Sequence, residues 1–148
     1  MSNGPAGTAE RVLLSLGIPV GGMFIGSFSA GVAMLLGLHE PGVSIVGFLG
    51  MVPGVIVISH LAPRAVPKAS RFSVGRRIAA GITGLLAAMT VGRCLILLGL
   101  DADALSDSVS VWAIAQEGLY MFLTFGTMLA AASAALGRPT VADDPVAH

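Results

Sequence analysis

The chain has 148 residues, 55% of them hydrophobic and only 11% charged, with a mean hydropathy of +0.89. An ordinary soluble domain is roughly 25% charged, and a water-soluble fold of this size has nowhere to put so much apolar surface. The 8 basic and 8 acidic residues balance, which removes the basic footprint that nucleic-acid binding requires; the single cysteine, Cys94, rules out an internal disulfide and a cysteine metal cluster.

Residues 1–11 begin small and polar and read as a flexible N-terminal tail. Val12 to Leu38 carries no charge, and a helix needs roughly 20 residues to cross a hydrocarbon core, so this run spans with room for tilt. Gly31, Val32 and Ala33 make a passable signal-peptidase pattern, but the run is about twice the ~7–15 residues of a signal peptide's apolar core. Pro19, with Gly21 and Gly22 beside it, predicts a kink. His39 to Gly42 is a turn by composition. Residues 43–61 form a second span, and Ala62 to Arg77 a polar loop holding Arg64, Lys68, Arg71, Arg76 and Arg77. The third span, 78–100, contains Arg93; an acidic loop with Asp101, Asp103 and Asp107 follows; the fourth span, 109–136, contains Glu117. Gly137 and Pro139 stop it, and 137–148 reads as a disordered tail.

Four spans place both termini on one side, together with the basic loop. Arg11, the five loop cations and Arg138 all fall there, whereas the opposite side carries Glu40 and the three loop aspartates with no Lys or Arg. The positive-inside rule then makes both termini cytoplasmic. The expected fold is therefore all-α: an integral membrane four-helix bundle, residues 12–136, in a bacterial-type inner membrane. Stripes of small residues, Gly22–Gly26–Ala30, Ala80–Gly84–Ala88–Gly92 and Gly126–Ala130–Ala134, suit close helix packing or a homo-oligomer.

Ionisable side chains inside a bilayer are expensive and mark an ion pair, a substrate site or a proton path. At 1.5 Å per residue Arg93 lies ~10 Å and Glu117 ~12 Å below the same surface, which predicts an Arg93–Glu117 pair. Glu117, Tyr120, Thr124 and Thr127 share one helical face, and Thr83, Thr90 and Arg93 another; facing each other, they would form a polar seam. Asp101 could join from its mouth. His39 and His60 fall at opposite ends of the first hairpin, a membrane thickness apart, so they cannot share one haem, and no cofactor is expected. Cys94 reads as a packing residue.

The second half resembles a widespread family of small four-helix bacterial membrane proteins of unassigned function. The likeness lies in Gly92-Arg93, Asp101 and Glu117, and in Gly50-Met51 through Pro63-Arg64 as a second span with a basic turn. It implies that Arg93, Asp101 and Glu117 act as a set, and implies no activity.

Three functions fit these residues. The first is a binding or acid–base catalytic site for a lipophilic small molecule, of isomerase or cyclase type, with Glu117 as general acid or base and Arg93 and Tyr120 stabilising charge. The second is a non-enzymatic scaffold or accessory subunit, with the Arg–Glu pair as structural glue. The third is a small oligomeric transporter or channel. The lipid bilayer is the partner common to all three.

Overall fold

A computed structural model describes residues 5–99 and 111–137, and every described element is helical. The helices are α1 (Pro5–Leu35), α2 (Gly42–Ala65), α3 (Val74–Leu97) and α4 (Val111–Leu136), with a 3₁₀ turn over Pro67–Arg71 between α2 and α3. All four are long and apolar enough to cross a membrane, and they form the all-α bundle expected.

The ends of the elements follow local chemistry. Gly37, at φ +84°, closes α1 in a left-handed cap: its N–H donates to the Met34 carbonyl and that of Leu38 to Ala33, the paired bonds of a Schellman motif. Gly99 (φ +81°) closes α3 in the same conformation, its N–H bonded to Ile96. Ser73 caps the start of α3 by accepting the Arg76 N–H at 3.3 Å. These boundaries revise three expectations. Helix begins at Pro5 within the presumed tail, α2 continues past Leu61 to Ala65, and α3 starts ahead of Arg76 and Arg77 rather than after them.

Small residues set the packing. A Cβ on Gly22 would stand 2.6 Å from Val55 Cγ2, and one on Gly26 2.6 Å from the Gly47 carbonyl oxygen; Gly54 faces Gly22 and Ile25 in return. The α1 stripe is therefore spent on α2, in close antiparallel contact. The α3 stripe is buried along its whole length: Gly81 meets Val55 and Ile18, and Gly84 meets Ala132, Met128 and Pro19. The α4 stripe behaves differently. Gly126, Ala130 and Ala134 are exposed, and α4 instead buries Met128, Ala132 and Leu136.

The core is concentrated at the end where α1 starts and α4 finishes, here the termini end. Ala69 and Phe72 of the connection fold over it and join Leu14, Ala62 and Leu136 in one apolar cluster. At the opposite, hairpin end the bundle loosens. Only 17% of the apolar window of α4 is buried, against 39% for α3, and no buried α4 side chain precedes Met128 among the described residues.

Candidate functional site

Helix α4 meets α3 at the hairpin end through one aromatic contact. The Tyr120 hydroxyl lies 2.9 Å from where a Cβ on Gly92 would stand. That contact, with Gly84 against Met128 and Ala132 nearer the termini end, fixes the antiparallel register of the pair. In this register Arg93 and Glu117 differ in depth by about 3–6 Å at 1.5 Å per residue.

Depth is similar, but direction is not. Both side chains are exposed, and no ion pair joins them among the described residues. At about 100° per residue, Arg93 leaves α3 roughly 140° from the middle of that helix's buried face. Thr83 and Thr90 lie on this outer face as well and are exposed, Thr90 returning its hydroxyl to the Leu86 carbonyl at 2.8 Å. The polar line of α3 therefore points outward, and the expected seam does not close. Since α3 ends at Leu97, Arg93 is about 6 Å from the helix end, close enough for its guanidinium to reach the polar edge while its stem stays among apolar neighbours.

Glu117 has the opposite geometry. Its azimuth on α4 differs by only about 20° from that of Met128 and from that of Thr124. Met128 is fully buried, and the Thr124 hydroxyl is buried with no hydrogen-bond partner. Glu117 is thus on the core-facing side of α4 yet exposed, at the end where no described α4 residue is fully buried. Gly118 of α4 agrees: a Cβ there would meet nothing within 4 Å. Tyr120 is half-buried on the flank of this opening, and Thr127 is bonded to the Leu123 carbonyl. Asp101 lies outside the described residues.

The remaining candidates are quieter. His39 and His60 are both exposed, with His60 Nδ1 2.9 Å from the Ile56 carbonyl. Cys94 is exposed rather than packed. No group of three or more metal-ligating side chains occurs among the described residues. A shallow pocket between α2 and α3 is wholly apolar, lined by Phe48, Met51, Val52, Ile82, Leu85 and Met89 among others, and does not include Glu117.

One polar cluster lies outside the sites expected from the sequence. At the termini end Arg77 is 4% exposed, Ser15 and Ser59 are fully buried, and Arg11 is half-buried. Arg11 Nη2 donates to the Ser133 carbonyl at 2.9 Å, and Ser133 Oγ donates to Ser15 Oγ at 3.0 Å. Arg11 Nε, Arg77 Nε and Nη1 and Ser59 Oγ are buried with no hydrogen-bond partner. The available signal was the Ser73 cap, which starts α3 early enough to carry Arg77 into the bundle.

Comparison with protein-family models, curated proteins and solved structures gives no match.

Proposed function

We propose that this chain is a multi-pass protein of a bacterial-type inner membrane, with both termini cytoplasmic, that binds a lipophilic small molecule in the opening beside Glu117. The observation that carries the reading is the position of Glu117, on the core-facing azimuth of α4 but exposed. An apolar molecule entering from the bilayer would cover the bare core-facing side of α4 at this end and meet one carboxylate. In the catalytic form of the reading, Glu117 moves the proton of an isomerisation or cyclisation, and the Tyr120 hydroxyl, one turn deeper, holds the developing charge. Arg93, close in depth to Glu117 but on the outer face of α3, would reach the polar edge of the bundle. The charge asymmetry of the connecting segments supports the orientation.

A lipophilic photoreactive probe, a diazirine-bearing isoprenoid alcohol, tests this. Labelling of the purified protein should concentrate on residues 114–121, and Glu117→Gln should disperse it without lowering the melting temperature. Labelling spread evenly over the lipid-facing sides of all four helices would overturn the reading.

A non-enzymatic subunit is the second reading, and one observation favours it. Gly126, Ala130 and Ala134 are exposed on α4, where a helix of another subunit or of a second copy could approach closely. Crosslinking through Ala130→Cys, in a background carrying Cys94→Ser, would detect that neighbour.

A further inference from the structure

The buried polar groups at the termini end share one layer. Val55 and Gly81 touch across α2 and α3. One turn from each toward the termini end, on antiparallel helices, lie Ser59 and Arg77, which the same packing therefore brings to face each other. Ile18 touches Gly81 from the parallel helix α1, so Leu14 and its neighbour Ser15 fall at this level too. Ser15 carries the layer across to Ser133, whose carbonyl holds Arg11.

This layer holds buried donors that no acceptor meets. Arg77 Nε and Nη1, Arg11 Nε and the Ser59 hydroxyl have no partner. A buried guanidinium without acceptors is costly, and structures supply it with an anion or a hydrogen-bonded partner. The unpartnered nitrogens belong to two side chains, which suits a ligand with several acceptor oxygens. The layer also lies near the polar edge of the bundle, at the depth of lipid phosphates.

We propose that Arg77 and Ser59, with Arg11 beside them, form a buried site for a phosphate oxyanion, carried by a lipid headgroup or by a free phosphate entering from the termini end. Thermal unfolding of the full chain in detergent micelles tests it in two arms. One titrates inorganic phosphate against chloride at constant ionic strength; the other dopes the micelles with phosphatidylglycerol against an uncharged diacylglycerol. The wild type should show a saturable rise in midpoint in one arm: phosphate alone identifies a free oxyanion, phosphatidylglycerol alone a headgroup. Arg77→Met should raise the half-saturating concentration on the order of tenfold, the loss of one charged hydrogen-bonding partner. Arg64→Met, at an exposed cation of the same end, should leave it unchanged. If Arg77→Met does not fold, Ser59→Ala and Arg77→Lys carry the same comparison. Equal responses from the Arg77 and Arg64 variants, or no wild-type response in either arm, would overturn the site and assign the layer to internal water.

Discussion

Tyr120 rests its hydroxyl against Gly92, 2.9 Å from the position a Cβ would take, while the ring carbon bearing it stands 3.8 Å away. Only the oxygen is in the way of an alanine. Gly92→Ala should therefore cost up to about 1 kcal/mol, since the far end of a side chain can yield, and the cost should vanish in a Tyr120→Phe background. A double-mutant cycle in detergent, read by chemical unfolding, measures this coupling. An unchanged penalty in the Phe background would show that Gly92 is constrained by something other than Tyr120.

Glycines that look alike in the sequence should respond in opposite ways. A Cβ on Gly26 would meet the side chain of Met51 and stand 2.6 Å from the Gly47 carbonyl oxygen, and backbone cannot retreat as a side chain can; one on Gly126 would meet nothing within 4 Å. Gly26→Ala should destabilise by about 1–3 kcal/mol through forced separation of α1 and α2. Gly126→Ala should be neutral or slightly stabilising, because alanine is the better helix former. Melting temperatures of the two variants decide the point. Equal losses would mean that Gly126 packs against a neighbour outside this chain.

The contrast marks what could be read from the sequence and what could not. Span number and the shared end of both termini follow from apolar runs and charge placement, which are local. So does depth: Arg93 and Glu117 lie at similar depth, as counting residues implies. Azimuth is another matter, because it depends on which face each helix commits to its neighbours. Thr83, Thr90 and Arg93 do share a face, but Gly81, Gly84 and Ala88 claim the opposite one for the core, so that line points outward. Arg77 was missed for a related reason. Beside Arg76 it reads as loop, and it becomes interior only because Ser73 starts the helix early and Phe72 and Ala69 fold back over the end.

A polar pair does hold α1 to α4, and it is a pair of serines. Ser133 Oγ donates to Ser15 Oγ at 3.0 Å, and the Ser133 carbonyl accepts from Arg11 at 2.9 Å. With Ser15 fully buried, replacing Ser133 by alanine removes the donor and strands the Ser15 oxygen. The expected loss is about 1–2 kcal/mol. Ser15→Ala together with Ser133→Ala should cost less than the sum of the single changes, since neither oxygen is then left without its partner. Additive losses, measured by unfolding, would show that the two hydroxyls act independently.

Arg93 and Glu117 lie at similar depth but leave their helices in different directions, and both are exposed. An ion pair within the chain would reveal itself as coupling: Arg93→Gln and Glu117→Gln would each be costly, and the double variant would cost little more than either. The observed directions instead predict a coupling energy below about 0.5 kcal/mol, the level at which separated sites add. The charge exchange Arg93→Glu with Glu117→Arg should likewise give no rescue over the single reversals. Unfolding in detergent measures the coupling without reference to any ligand. A coupling well above that level would mean that the two side chains meet when the bundle is in its micelle, and the hairpin end would then have to be closed there.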